Sequence, residues 1–331
     1  MMKHAMQVLY GTLLAVAMLG LPAAHVQAQG AYPTRPIKMI IPFAPGGASD
    51  FVGRIIVNRL GEILGQQIVI ENRAGAAGNI GMETAAKSPA DGYTLYLGNI
   101  GTLAINPALY ANLAVNPLKD FAPVTVVSDM PSALVANNDL PVASVKELIT
   151  LLKSQPGKYN FASPGSGSLN RLEMELFRKT NGIDMVHVPY KGGAGPATVG
   201  LIGGETQVMF NTMASVISFI KAGRIKGLAV TTAQRLPQLP DVPTMVELGY
   251  PDMVSSSWQG ILVPAGTPKD IVAKLHAALL QTMESPDIRQ RLGNGGAVAS
   301  TSKSPEEFSE FLATETKRWG AVSREVGAKA D

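Results

Sequence analysis

The 331-residue chain carries 28 Lys and Arg against 25 Asp and Glu, a formal net charge of +3, with 46% hydrophobic residues, 16% charged residues and no cysteine. That balance belongs to a globular chain and not a disordered one, and so small a basic excess lacks the stripe that nucleic acid requires. Without cysteine there is no disulfide framework and no lipid-anchored N-terminus, so stability must come from core burial.

The chain opens on a targeting signal. Lys3 is the only formal charge ahead of Arg35, an apolar run from Val8 to Leu21 follows it, and Val26-Gln27-Ala28 puts small residues where a signal peptidase reads. Cleavage is expected after Ala28, making residues 1–28 a signal peptide. A membrane anchor is the competing reading, but the run ends at Pro22, short of the roughly 20 residues a span needs. No later stretch reaches spanning length without charges or prolines. The mature protein is expected to be free, exported and periplasmic, with length enough for two domains.

From Tyr32 to Pro123 strands alternate with helices. Lys38 to Phe43 reads as a buried strand, Pro45-Gly46-Gly47 as a turn, and Phe51 to Leu64 as a helix with Ser49 and Asp50 as N-cap candidates. Gln67 to Glu71 is a strand, Asn79 to Lys87 a helix, and Tyr93 to Leu97 a strand that exits through Gly98 to Thr102. Such alternation predicts a mainly parallel sheet covered on both faces, with ligands beyond the carboxyl ends of its strands. Phe121 to Ser128 is an extended crossing candidate, broken by Met130-Pro131. Ser144 with Glu147 forms a capping box. Tyr159 to Ser163 then starts a second cycle: a strand, the loop Pro164 to Ser168, and a helix from Leu169 to Thr180. Met185 to Tyr190, Gln207 to Phe210 and Ile225 to Thr231 are further strands. Trp258 to Val263 is the candidate return crossing. Thr267-Pro268 and Ser304-Pro305 open the C-terminal helices.

The same recipe therefore occurs twice: a strand, a Gly/Ser turn and a helix start. It aims backbone N–H groups and the positive end of a helix dipole at one spot, which suits an anion. A tight strand-to-helix turn with no ligand is the plainer reading of either copy alone. Two such modules joined by extended segments predict two lobes, 29–128 with 256–331 and 129–255, closing by a hinge on a shared anion.

The pieces YPTRPIKMIIPFAPGGASD, VIENRAGAAGNIG, SPADGYTL, INPALY, DFAPV, HVPYKGG, GRIKGLAVTTAQR, LPDVPTMVELGY and ILVPAGTP run in order from Tyr32 to about Lys274. In that order they resemble the periplasmic solute-binding receptors of the tripartite tricarboxylate transporter system, the Bug receptor family. The resemblance implies an α/β Venus flytrap, type II-like, with two crossing strands. It implies capture of a small organic carboxylate and delivery to a membrane permease of one large and one small subunit. It places ligand contacts in the loop after the first strand (Phe43, Ala44, Gly46, Gly47, Asp50) and in the matching loop of the second lobe (Gly165, Ser166, Gly167, Ser168, Arg171). Backbone N–H groups, small hydroxyls and ordered water would hold the carboxylate. Thr102, Tyr190, Gly192 and Asn211 would face the cleft from other loops. Two positions depart from the family's habit, which often has His at Arg171 and Asp at Asn211. Arg171 could pair with a ligand carboxylate or simply with Glu175 one helical turn on. An Asn at 211 cannot receive an ammonium group as an anion, which favours an aromatic or dicarboxylic acid without an amine.

Nothing else in the sequence signals chemistry. His187 and His276, the two histidines beyond the signal, read as core or surface residues, and no His/Asp/Glu spacing suggests a metal site. The Gly165 to Ser168 loop is not a G-x-S-x-G elbow, no phosphate-loop pattern occurs, and no serine has an obvious base. No cofactor or catalytic residue is expected, and the receptor should be a monomer. The rivals are an exported α/β hydrolase and a binding protein that signals to a membrane kinase. Trp258 could line the cleft or be buried in the crossing strand.

Overall fold

The computed structural model describes residues 32–325, 327 and 328. The expected signal peptide and its cleavage point lie outside the described residues. A folded unit begins at Arg35. No helix among the described residues is long and apolar enough to cross a membrane.

The first strand, β1 (Ile37–Ile41), is buried except at Lys38, as a strand covered on both faces must be. The chain turns through Gly46, at φ +88°, into α1 (Ala48–Leu64). Ser49 and Asp50 are not the N-cap. Gly47 takes that place with an extended backbone (φ −89°, ψ 174°), so the helix starts earlier. Asp50 instead reaches back from the first turn and accepts the Gly46 N–H at 3.1 Å. β2 (Ile68–Asn72) and β3 (Thr94–Asn99) flank β1 in parallel, with α2 (Asn79–Ala86) between them in sequence. β3 exits into a π-helical turn, Gly101–Ile105, then α3 (Asn106–Leu109) and α4 (Pro117–Asp120).

β4 (Phe121–Ala136) is 16 residues long and organises the sheet. The expected break at Met130-Pro131 does not occur, because both residues stay paired with β9 (Ser256–Pro264), at Ser257 and Ser256. From Ser132 to Ala136 the same strand pairs with two new strands, β7 (Val208–Thr212) and β8 (Lys226–Val230). A proline offers no ladder N–H, and a handover between two sets of partners is where that loss costs least. The second half is built from α5 (Val145–Ser154), β5 (Asn160–Ser163), α6 (Leu169–Asn181), β6 (Val186–Pro189), α7 (Ala194–Ile202), β7, α8 (Met213–Lys221) and β8. β9 then returns, followed by α9 (Lys269–Glu284), α10 (Pro286–Asn294), β10 (Val298–Ala299) and α11 (Pro305–Glu325). The strand order is β2-β1-β3-β9-β4-β7-β5-β6, with β8 and β10 both attached to β4. This is a two-lobe α/β fold whose halves share one crossing strand, with β9 as the return.

The caps show how local sequence fixes the joints. Ser144 accepts the Glu147 N–H at 3.2 Å, and Glu147 accepts the Ala143 N–H at 2.6 Å. Thr267 does not cap α9. Pro268 is its N-cap, and the Thr267 hydroxyl donates to the Pro264 carbonyl at 2.7 Å. Each half has its own core. In the first, Tyr96 stacks on Phe121 at 5.0 Å and packs with Trp258, Phe308 and Trp319 under α11. In the second, Phe161, Phe177 and Phe210 fill one face of the sheet, and Met209, Met213 and Val216 the other.

Candidate functional site

Parallel strands deliver their exit turns to one edge, so several helix starts converge there. The beginnings of α1, the π-helical turn, α6, α7 and α8 surround a cavity of about 40 Å³, room for about three water centres or one carboxylate head. Phe43, Gly47, Ala48, Ser49 and Ala77 wall it from one half, with Asn99, Ile100 and Gly101 at the end of β3. Pro164, Gly167, Ser168, Leu169 and Asn170 face them from the other half, joined by Ala194, Thr212 and, from β9, Ser257. None of these side chains is charged. What the cavity offers an anion is first-turn N–H groups without intrahelical acceptors, aligned helix dipoles and small hydroxyls.

The two rims touch. The Ala44 N–H donates to the Gly192 carbonyl at 3.0 Å. Gly195 lies so near the other rim that an added Cβ would stand 2.8 Å from the Pro45 carbonyl oxygen, and one on Gly101 would stand 2.9 Å from that of Gly167. Ala76 and Ala77, at φ +46° and +52°, hold a left-handed bend that brings Ala77 to the cavity. Asn106 steadies it by donating to the Ala77 carbonyl at 3.1 Å. A strained backbone kept in place by a specific bond is typical of a ligand-facing loop.

Of the residues expected at the site, Phe43, Gly47, Gly167 and Ser168 line the cavity. Ala44, Gly46 and Gly192 form the rim, and Gly165 faces Ala77. The others support it. Asp50 is buried and accepts from Gly46 N–H, Arg54 (2.9 Å) and Asn72 (3.1 Å). Burial raises its carboxyl, but those bonds outweigh burial and hold it below its ordinary value. Thr102 is fully buried and exchanges bonds with Asn99, its N–H reaching Asn99 Oδ1 at 3.0 Å. Arg171 is buried away from the lining. It donates to the Ser166 carbonyl at 3.3 Å and stands 3.8 Å from Glu175. The Tyr190 hydroxyl donates to Glu205 at 2.7 Å; burial and that carboxylate push the phenol up to about 12. Asn211 is fully buried and engaged, donating to Ala194 and Thr198 and accepting the Thr212 N–H.

Several lining residues escaped the sequence reading. Ser49 was hidden by its resemblance to a cap. Asn170 lies within the stretch Gly165 to Arg171 that the resemblance marks, one place before Arg171, but was not itself singled out. Ser257 was missed beside the conspicuous Trp258, although strand alternation separates them: Ser257 faces the cavity, whereas the Trp258 indole donates to Glu315 at 2.9 Å on the other side.

The structure also corrects the expectation that no serine has a base. Ser163 Oγ lies 2.7 Å from His187 Nε2. Ser163 is fully buried, however, and the pair does not line the cavity. Burial, then the Arg171 and Arg178 cations, push the imidazole down to about 3, too weak a base for general-base work near neutral pH. His276 is bonded to the Ser302 carbonyl at 3.0 Å inside the fold. No cluster of metal-ligating side chains occurs among the described residues.

The receptor family of tripartite tricarboxylate transporters matches residues 52–328. The chain belongs to that family. It is 39% identical to BugT of Bordetella pertussis over 93% of this chain and 94% of that one. Two solved relatives from Rhodopseudomonas palustris share the fold. Rpa4515, solved with adipate, is 35% identical with a TM-score of 0.87, covering 91% of this chain and all of that one. MatC, solved with malate, is 33% identical with a TM-score of 0.83, covering 88% and 99%. The chain is thus a periplasmic solute-binding protein of the two-lobe fold.

Proposed function

We propose that the protein captures a small organic carboxylate between its two lobes by hinge closure and hands it to the membrane permease of a tripartite tricarboxylate transporter. The observation that carries this reading is the small cavity between the starts of α1 and α6, one from each half, with uncharged walls and rims in contact. Helix starts in that arrangement neutralise an anion without a side-chain cation. Adipate and malate in the two R. palustris relatives support the same ligand class. A lining without Asp or Glu has no carboxylate to pair with an ammonium group, which favours acids without an amine. The lobes divide as 29–128 with 256–331 and 129–255. The mature chain starts after Ala28, works as a monomer and returns its ligand chemically unchanged.

The test is a thermal-shift screen of residues 29–331 against aliphatic di- and tricarboxylates, aromatic acids and acidic amino acids. A ligand at 100 times its dissociation constant adds about 2.7 kcal/mol of stability, several degrees in Tm. Shifts with amino acids alone would overturn the preference for amine-free acids. No shift with any acid, in folded protein freed of carried-over ligand, would overturn the reading itself.

A further inference from the structure

Behind the cavity lies a buried pair that its lining alone does not explain. Ser49 lines the cavity from the first turn of α1, and its Oγ stands 2.7 Å from Oε1 of Gln259. Gln259 is fully buried on β9. In the ladder it lies between Asn99 of β3 and Ser128 of β4. A carbonyl oxygen only accepts, so here Ser49 spends its single proton on Gln259 and turns lone pairs towards the cavity. That is the wrong polarity for an anion. Two buried atoms nearby have no hydrogen-bond partner: Gln259 Nε2 and Ser128 Oγ. Residues directly opposite in a ladder share a face with Cβ atoms about 4.5–5.5 Å apart, so the Ser128 hydroxyl can reach the Gln259 carboxamide by turning about χ1. Asn99 Oδ1 is already engaged, accepting the Thr102 N–H at 3.0 Å and the Thr102 hydroxyl at 3.3 Å, so it is no acceptor for Gln259 Nε2.

A half-turn of the carboxamide reverses that polarity. We propose that Gln259 is a positioning residue with two amide orientations, and that an anion in the cavity selects the one in which Nε2 donates to Ser49 and Ser49 donates to the anion. In that orientation Oε1 faces Ser128 and accepts its hydroxyl proton, whereas in the present one Ser128 Oγ can accept from Nε2; the pair can be satisfied either way, and the two orientations differ in the direction of the Ser49 proton. No covalent bond changes and no proton leaves its heavy atom. The inference rests on the carboxylate reading above and deepens it. Discrimination between a carboxylate and its neutral amide would come from the direction of one hydroxyl, set by a residue that does not line the cavity.

The test has an acid-free arm and a binding arm. In the first, the Gln259 side-chain amide is followed by nitrogen-15 NMR, assigned by its loss in Gln259→Met. Ser128→Ala should move that resonance by removing the partner of the second orientation; an unmoved resonance would overturn the proposal. In the second, adipate and malate are titrated into the parent, Ser49→Ala, Gln259→Met and the double variant. Each single change should weaken binding about tenfold or more, as for a bond to a charged group, and the double variant should be no weaker than the weaker single. The monoamides should lose less. Gln259→Glu, acceptor-only when ionised, should bind more weakly than the parent at pH values above the raised titration of that buried carboxyl. Unchanged affinity in Gln259→Met, or additive losses, would each overturn the proposal. A parent that binds no acid defeats the carboxylate reading, and the acid-free arm then decides the proposal on its own.

Discussion

Replacing Gly195 with alanine should separate ligand binding from folding. Gly195 lies in the first turn of α7, where the added Cβ would stand 2.8 Å from the Pro45 carbonyl oxygen and 3.2 Å from the Gly46 carbonyl carbon. Both are backbone atoms and cannot swing aside. Ordinary contact begins near 3.4 Å, so the rims must part by roughly half an ångström. That takes the Ala44 N–H to Gly192 carbonyl bond from 3.0 Å to the edge of bonding geometry. Losing that bond and the snug contact around it costs about 1–2 kcal/mol, which is about five- to thirty-fold in Kd. Alanine at a helical position meanwhile favours the fold by about 0.8–1 kcal/mol over glycine. The bond is present without acid as well, so cost and gain nearly offset in the acid-free protein: the variant should stay within about 1 kcal/mol of the parent's stability, yet bind acid more weakly. Gly203→Ala is the control at the far end of the same helix, where the nearest atom is 3.5 Å away and belongs to the helix's own last turns. The assay is calorimetric titration with the acid that gives the largest thermal shift. A Gly195→Ala protein of unchanged Tm and Kd would refute the idea that binding needs the rims to meet.

Three further outcomes rest on buried titratable groups. Asp50→Ala leaves the Gly46 N–H without its acceptor and the Asn72 amide with only the Phe43 carbonyl, and should cost about 1–3 kcal/mol in urea unfolding; because the folded-state carboxyl is held low, the Asp50 contribution should be present above about pH 4 and fade as pH falls. Burial raises the Glu173 carboxyl more than its bonds to Ser255, Asn170 and Ser132 lower it, so its contribution is greatest in acid and is lost as pH rises; Glu173→Gln should raise Tm at pH 8 by an amount that shrinks towards about pH 4, and a gain independent of pH would refute this. His187 is pushed the other way, down to about 3, so its contribution is complete above about pH 6.5 and is lost below it, by at most ~1.4 kcal/mol per pH unit and by less where solvent reaches the ring. A His187 imidazole seen by NMR to titrate near pH 6.5 would contradict that environment.

The elements legible in the sequence were those with local punctuation. The turn before α1, the Ser144 capping box and the starts of α9 and α11 all announce themselves through Gly, Pro, Ser or Glu at fixed offsets. What stayed hidden was decided across the sheet. Met130-Pro131 looks like a break, and only the register shows that β9 keeps hold of both residues before β7 and β8 take over. The lining behaved likewise. Phe43, Gly47, Gly167 and Ser168 belong to loops that read as anion sites. Asn99 belongs to the strand exit Gly98 to Thr102, on the side where ligands are expected, whereas Ala77 and Ser257 come from a left-handed bend and the face of a crossing strand, which no spacing rule singles out. The Ser163–His187 pair joins residues on adjacent strands, so its partnership follows from β5–β6 pairing and from nothing local.

A backbone-built anion site has a consequence for how such a receptor acquires a new ligand. On the proposed reading N–H groups and helix dipoles grip any carboxylate alike, and a lining substitution that keeps the backbone in place and removes no hydroxyl leaves that grip intact. Selectivity must then come from what meets the rest of the molecule. Here that is Phe43, Ile100, Pro164 and Leu169, apolar walls around a small space, together with hydroxyls whose proton direction is set from behind. Arg171, the nearest conspicuous cation in sequence, sits in the first turn of α6 and donates to the Ser166 carbonyl of the loop before it. It shapes the loop that presents Gly167 and Ser168, and through them the site, more than it supplies charge to it.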